Sequence, residues 1–166
     1  MRSFTPSTRR GFTLVELMIV VLIISMLAML AVPAFARIQR RTKTAAIIND
    51  IRVFTAAFET YAHENGTWPA ESAAGVMPTG MSSQLGGSAW GRVTPMGGKY
   101  NWESDQMHFG TRFRAAITIA SATGAPLVLD VYQLLEFEKT LDANQNLLGG
   151  NFRLGTGLVP LFVIQQ

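Results

Sequence analysis

The apolar positions of this chain fall first in one long block near the N-terminus. From Gly11 to Ala36 nearly every side chain is apolar or small, and the one acid in the block is Glu16. At about 1.5 Å rise per residue, a helix from Phe12 to Ala36 is about 38 Å long, enough to cross a hydrocarbon layer of about 30 Å with some tilt. The block therefore predicts a membrane-spanning helix.

Glu16 is the exception within this block. A carboxylate inside a membrane span costs about 2.5–3.5 kcal/mol on insertion scales, so residues of this kind are usually functional. The block contains no basic side chain that could pair with Glu16. We therefore expect Glu16 to need a cationic partner from elsewhere.

A helical pattern continues past the apolar block. After a basic stretch over residues 37–43, apolar residues return at intervals of four, three, four and three, at Ile47, Ile51, Phe54, Phe58 and Tyr61. This spacing places them on one face of a helix. We expect one helix from near Phe12 to about Glu64, ended by Asn65-Gly66 and by Pro69, with its second half packed on a globular domain.

The rest of the chain, residues 67–166, predicts a small α+β domain. The glycine-rich stretch 70–98 has no sustained period and is expected to form a variable surface loop. Alternating apolar and polar residues predict strands at Lys99–Glu103 and Arg112–Ala120. In the second strand one face is expected to be buried, formed by Phe113, Ala115, Ile117 and Ile119.

Two further elements follow. Pro126 is expected to open a second helix that ends near Asp142, with an apolar side formed by Leu127, Val131, Leu134, Leu135 and Leu141. Residues 151–165 indicate a closing hairpin, and Pro160 favours an edge strand or a bulge for its second strand. The predicted fold class is α+β, a long N-terminal helix on a small antiparallel sheet.

Charge and cysteine content narrow the class of protein. The chain has 166 residues, no cysteine and a formal net charge of +3. Three arginines, Arg2, Arg9 and Arg10, precede the apolar block; without them the chain has 11 basic and 11 acidic side chains. The excess charge therefore indicates a cytoplasmic N-terminus by the positive-inside rule, and we predict no nucleic-acid binding. The basic stretch 37–43 is interpreted as the solvated shoulder of the membrane helix, with phospholipid or DNA contact as the alternative.

The start of the block resembles a known processing site. Gly11-Phe12-Thr13-Leu14-Val15-Glu16, after a short basic leader and before an apolar run, resembles the prepilin peptidase site of type IV pilins and type II secretion pseudopilins. The resemblance implies cleavage after Gly11, N-methylation of Phe12 and a role for Glu16 in pairing with the N-terminal amine of a neighbouring subunit. It also implies an assembly role for Pro33, because this family commonly carries a proline near the end of the span.

A second resemblance lies at the exit of the predicted helix. The segment from Tyr61 to Pro69, with Asn65-Gly66 and Trp68 inside it, is similar to the Tyr-x-x-x-Asn-Gly-x-Tyr/Trp-Pro segment of many pseudopilins. The two resemblances imply a pilin-like fold. They also imply a leader over residues 1–11, a membrane or filament-core helix over 12–36, its amphipathic half over 37–66 and a globular head over 67–166.

Two other processing signals remain as alternatives. Ala34-Phe35-Ala36 has the small-x-small pattern of a signal peptidase site, which would release a secreted or singly anchored periplasmic binding module near Ala36. Thr8-Arg9-Arg10-Gly11-Phe12 also resembles a twin-arginine signal. The length of the apolar run and the presence of Glu16 disfavour both.

Little in the chain is typical of catalysis or cofactor binding. The two histidines, His63 and His108, have no second ligand at metal spacing, so we predict no enzyme and no cofactor. A weak candidate metal loop contains Asp142, Asn144 and Asn146. It is not an EF-hand, since Leu147 and Arg153 stand where a glycine and a bidentate acid are required. Turn contacts from these side chains to the backbone are the expected alternative.

The resemblance implies a structural subunit of a type II secretion pseudopilus or a type IV pilus. Its expected partners are related subunits in a helical filament, the prepilin peptidase, an inner-membrane assembly platform and membrane lipid. The expected location is a single pass through the inner membrane, with the head in the periplasm, followed by incorporation into a filament.

Overall fold

A computed structural model describes residues 11–142 and 146–166 of the chain. The chain divides into two compact units, one ending at Gln39 and one running from Arg40 to Gln166. The helices are α1 (Leu14–Asn65), α2 (Ser82–Leu85) and α3 (Val131–Leu141). The strands are β1 (Lys99–His108), β2 (Thr111–Ala120), β3 (Phe152–Leu154) and β4 (Pro160–Gln165). These elements confirm the predicted α+β class.

The second unit is built around one antiparallel sheet with the strand order β1-β2-β4-β3. The stripe predicted on the second half of α1 is its buried face: Ile47, Ile51, Phe54 and Phe58 are all within the core, and Tyr61 packs against it. The helical spacing of these residues is therefore confirmed. The hydrophobic effect holds this half of α1 on the domain.

Aromatic rings join α1 to β1. Phe58 lies flat on Trp102 with ring centroids 3.8 Å apart, and Phe54 meets Tyr100 edge-on at 4.8 Å. The hydroxyl of Tyr100 donates a hydrogen bond to Asp50 on α1 at 2.9 Å. Burial and the neighbouring Asp50 carboxylate raise the pKa of Tyr100, because both disfavour the phenolate.

The segment 70–98 is less of a surface loop than its composition indicates. It contains α2 and buries Met81, Leu85 and Trp90 in the core. The indole N–H of Trp90 donates to the carbonyl of Val76 at 2.8 Å, which ties the segment to itself. Apolar anchors spaced among the glycines therefore hold the segment on the domain.

The prediction that Phe113 shares a face with Ala115, Ile117 and Ile119 is wrong. Those three residues face the main core, whereas Phe113 joins Ala116 and Leu161 in a second buried cluster. The ladder between β2 and β4 shifts register between Ala115 and Ala116. The partners step from Gln165 to Val163, so the extra residue lies in β4. Such a bulge disrupts and twists the ladder locally, and the alternation of faces along β2 does not continue across it to Phe113.

Of the two expectations for the strand of Pro160, the edge position is wrong, and the bulge is present but lies away from the proline, between Val163 and Gln165. Pro160 opens β4, which lies between β2 and β3 and is an interior strand without a bulge at the proline. Pro160 pairs with Leu154 of β3, while pairing with β2 begins one residue later, at Leu161. A proline is tolerated at the first residue of a strand, because no ladder bond from its nitrogen is required there.

The second helix differs from its prediction in its start and in part of its buried side. It begins at Val131 rather than Pro126, because Asp130 is its N-cap and accepts a hydrogen bond from the backbone N–H of Tyr132 at 2.9 Å. Its buried residues are Gln133, Leu134, Phe137 and Glu138. Of the predicted apolar side, Leu134 is buried and Leu127 and Leu141 pack against the core, whereas Val131 and Leu135 are exposed.

Candidate functional site

The residues implied in processing and assembly lie at the start of α1. Gly11 and Phe12 precede the helix, and both are exposed, Phe12 by 79%. An added Cβ at Gly11 would meet no atom of the described residues within 4 Å. The peptide bond between Gly11 and Phe12 is therefore accessible, and no packing in the described structure requires a glycine at position 11.

Glu16 forms a capping box with Thr13. One carboxylate oxygen, Oε2, accepts hydrogen bonds from the backbone N–H of Thr13 at 2.9 Å and from its hydroxyl at 3.0 Å. The Thr13 hydroxyl in turn accepts from the backbone N–H of Glu16 at 3.2 Å. This reciprocal pattern satisfies two of the backbone donors that a helix start leaves without partners.

The capping box was missed in the sequence, although Thr-x-x-Glu spacing before an apolar run is its known signal. It gives Glu16 a local role in addition to the one the resemblance implies. Within residues 11–142 and 146–166, the second oxygen of Glu16, Oε1, accepts no hydrogen bond. The carboxylate can therefore cap its own helix and still accept from a further donor.

The apolar block after Glu16 is exposed as far as Phe35. Of the described residues, α1 is the one helix long and apolar enough to cross a membrane, and its most apolar stretch is not buried at all. Large side chains such as Leu22 and Met29 are 68% and 78% exposed. A surface of this size is stable only in a lipid layer or against other apolar surfaces.

Pro33 lies inside α1, which continues on both sides of it. Proline has no backbone N–H, so the carbonyl of Met29 has no helical hydrogen-bond donor four residues on. The carbonyl of Val21, by contrast, accepts an additional hydrogen bond, from the hydroxyl of Ser25 at 2.7 Å. The span therefore has one backbone acceptor that its own helix does not satisfy.

The weak candidate metal loop is held by backbone contacts where it can be described. Asp142 accepts from the backbone N–H of Asn151 at 2.9 Å and of Phe152 at 2.6 Å, one with each oxygen. Asn146 accepts from the N–H of Leu148, and Asn144 lies outside the described residues. No group of three His, Cys, Asp or Glu side chains converges in the described part of the chain. Both carboxylate oxygens of Asp142 thus accept backbone hydrogen bonds at the start of β3.

His108 takes part in a buried polar cluster. Its Nδ1 accepts from the backbone N–H of Thr156 at 2.9 Å, so the proton of the neutral ring lies on Nε2, which donates to Glu103 at 2.5 Å. The hydroxyl of Thr118 also donates to Glu103, at 2.9 Å. The cluster ties the end of β1 to the turn between β3 and β4. His63, by contrast, is exposed at the end of α1.

Part of the basic stretch is used in ion pairs with α3. The guanidinium of Arg40 lies 2.8 Å from Asp130 and 4.9 Å from the ring centre of Tyr132. Arg41 lies 3.7 Å from Glu136 on the next turn of α3. These two arginines therefore fix α3 beside α1, and the interpretation of the whole stretch as a solvated shoulder is too simple.

Comparison with known proteins supports the resemblance. Residues 6–32 match the model of the prokaryotic N-terminal methylation motif. The chain is 39% identical over 66 residues to the fimbrial protein EcpC of Eikenella corrodens, which is 40% of this chain and 43% of that protein. It is 41% identical over 61 residues to the type IV major pilin protein PilA of Myxococcus xanthus, 37% of this chain and 27% of that protein. Each match thus spans less than half of the relative.

The fold has a solved counterpart. The structure of the major type IV pilin PilA1 from Clostridium difficile superposes with a TM-score of 0.53, covering 76% of this chain and 97% of that one at 16% identity. This likeness concerns the fold alone, whereas the methylation motif and the two relatives rest on sequence. Together they show that this chain is similar to pilus proteins in its N-terminal sequence and to a type IV pilin in its fold.

Proposed function

We propose that this protein is a filament subunit that is anchored in the inner membrane by the first part of α1 and later assembled through the same helix. The observation that carries the proposal is the uncovered apolar stretch of α1, which follows a methylation motif and starts with a capped carboxylate. The relatives are named as a fimbrial protein and a type IV major pilin. We therefore expect related subunits as the partners in the filament.

Processing comes first in this proposal. A prepilin peptidase cuts between Gly11 and Phe12, and the amine of Phe12 is then methylated. The exposure of both residues and the open space around Gly11 support an accessible cleavage site. The head, residues 67–166, lies in the periplasm, and residues 1–11 form a leader on the cytoplasmic side.

Assembly follows from the solvation of α1. Outside the bilayer, its apolar half can be buried only against the same half of other subunits, which produces a bundle of helices. The Phe12 amine enters that bundle as a cation. In our proposal it pairs with Glu16 of a neighbouring subunit through the oxygen that the capping box leaves open, and Pro33 leaves the Met29 carbonyl available for a further contact.

Between the two kinds of filament we favour a type II secretion pseudopilus over a type IV pilus. The segment from Tyr61 to Pro69 is similar to that of many pseudopilins, and the chain has no cysteine and so no C-terminal disulfide. The relatives are named as a fimbrial protein and a type IV major pilin, which makes a type IV pilus the competing proposal. Deletion of the gene separates the two, since loss of protein secretion indicates a pseudopilus and loss of surface filaments a pilus.

The processing step is tested by mass spectrometry of the protein purified from membranes. The expected N-terminus is N-methyl-Phe12, and Gly11→Val should leave the leader attached without disturbing the fold. A mature N-terminus at Arg37 would overturn the proposal in favour of release by signal peptidase. That alternative gains little from the structure, because Ala34–Ala36 lie within α1 rather than in an extended segment.

A further inference from the structure

Helix α3 has an exposed apolar surface that the fold itself does not explain. Five large apolar side chains lie along its start and along the segment just before it. We call this surface the α3 face; it consists of Val128 (65% exposed), Leu129 (38%), Val131 (63%), Tyr132 (65%) and Leu135 (40%). An apolar surface of this kind on a soluble domain usually marks a contact with a membrane or with another protein.

The burial along α3 shows that the face is not a simple consequence of a hydrophobic helix. Gln133 and Glu138 are 3% and 0% exposed, whereas Val131 and Tyr132 are mostly in solvent. Placing polar groups inside and apolar groups outside is costly on both sides of the helix. An external apolar environment for the α3 face removes one of these two costs.

The position of the face in the chain points to a bilayer. Tyr132 and Asp130 both contact Arg40, at 4.9 Å and 2.8 Å. Arg40 follows Ala36, the end of the apolar block, by four residues, and four residues span at most about 14 Å. However the two units lie relative to each other, the chain therefore keeps Arg40, which the start of α3 contacts, within about 14 Å of the end of the apolar block.

The composition of the face is that of an interfacial helix. Apolar side chains are combined with an aromatic residue, Tyr132, and with arginines whose long side chains keep their charge near the water. Asp130 and Glu136 would be repelled by anionic headgroups, but both are paired, with Arg40 and Arg41. Lys43 follows Arg40 by three residues on α1, and Lys139 follows Glu136 by three residues on α3, so both helices carry further positive charge. The local charge thus suits an anionic phospholipid surface.

We propose that the α3 face lies in the headgroup layer of the membrane that holds the span, so that the subunit has a second membrane contact before assembly. The inference rests on the proposed membrane anchoring. It means that extraction into a filament must break the contact between α3 and lipid as well as withdraw the span. A neighbouring copy of the chain is the competing occupant of this face, and the experiment separates the two.

The natural absence of cysteine allows a clean labelling experiment on the full chain. The Val131→Cys variant is labelled with an environment-sensitive fluorophore. It is placed in nanodiscs of phosphatidylethanolamine and phosphatidylglycerol, with one protein molecule in each nanodisc. Met107→Cys is the matched control, because Met107 is also 63% exposed. Met107 lies away from Arg40, because β1 runs along α1 towards the C-terminal end of that helix. Tyr100 of β1 contacts Asp50, Trp102 contacts Phe58, and Met107 follows five residues later.

We expect the label at position 131 to show a blue-shifted emission and to be quenched by lipid that carries a spin label at its headgroup. The label at position 107 should show neither effect. Leu135→Cys, one turn further along the same face, should behave like position 131. Neutral nanodiscs should weaken the quenching, because the cationic side chains then lack their anionic partners.

A third label separates this inference from the anchoring on which it rests. Leu22→Cys lies in the apolar block and is 68% exposed, so it should be quenched by lipid that carries its spin label deep in the acyl chain. If position 22 is quenched and position 131 is not, the α3 face does not contact lipid although the span is anchored. Protection of position 131 only in assembled filaments would assign the face to a neighbouring copy instead. If position 22 also escapes quenching, the anchoring itself is wrong.

Discussion

The two roles assigned to Glu16 can be separated by three substitutions. Glu16→Gln keeps a side chain that can complete a capping box but removes the charge. Thr13→Ala does the opposite, because it removes the hydroxyl that bonds Glu16 at 3.0 Å and 3.2 Å while the carboxylate remains. Glu16→Ala removes both functions.

The expected magnitudes differ enough to be measured. Loss of an N-cap side chain costs about 1 kcal/mol, or roughly a fivefold change in an equilibrium. An amine left unpaired in a helix bundle costs about 3–5 kcal/mol, which is roughly a hundredfold to several thousandfold. We therefore expect Glu16→Gln and Glu16→Ala to lose nearly all incorporation into filaments and Thr13→Ala to lose only part of it.

The assay is a paired one. Cleavage after Gly11 is followed by gel shift, and incorporation by immunoblot of the sheared filament fraction. All three variants should be cleaved and remain in the membrane, since removing a charge makes insertion of the span easier. Two results would refute the reasoning. Wild-type incorporation of Glu16→Ala would exclude the amine pairing, and equal losses in Thr13→Ala and Glu16→Gln would reduce Glu16 to a helix cap.

Three further predictions concern the globular domain. A fragment starting at Arg37 should be soluble and folded by circular dichroism, whereas one starting at Thr67 should not fold, because it lacks the buried face of α1; a folded fragment from Thr67 would contradict this packing. In the longer fragment, Phe58→Ala should lower the free energy of unfolding in urea by about 3–5 kcal/mol, because Phe58 stacks on Trp102 in the core. Val53 is 52% exposed, so Val53→Ala should lower it by less than about 0.5 kcal/mol. Similar losses in both variants would exclude the stacked core. Because the pKa of Tyr100 is raised in the folded protein, the unfolded chain loses the phenol proton at a lower pH. The free energy of unfolding should therefore fall as the pH rises above about 10. Tyr100→Phe should abolish this decrease, measured by urea titrations at alkaline pH.

Much of the architecture follows from the sequence alone. The span is an unbroken apolar run long enough to be recognised by length alone. The stripe from Ile47 to Tyr61 is a periodic pattern, which a regular helix turns directly into a face. The strands β1 and β2 were located for the same reason. Gly11 and Phe12, proposed for processing, and Glu16, proposed for assembly, could be named without the structure, since they belong to a short contiguous motif.

The tertiary structure decided the rest, because those features depend on partners distant in the chain. A register shift in the ladder between β2 and β4 accompanies the placement of Phe113 in the second cluster. The pairing of β3 with the other side of β4 makes β4 an interior strand. Arg40 and Asp130, 90 residues apart, set where α3 lies and leave Val131 exposed, although the pattern favoured burial. A pattern along one helix gives the direction of its faces but not which of them meets the sheet, and packing energy summed over the whole domain makes that choice.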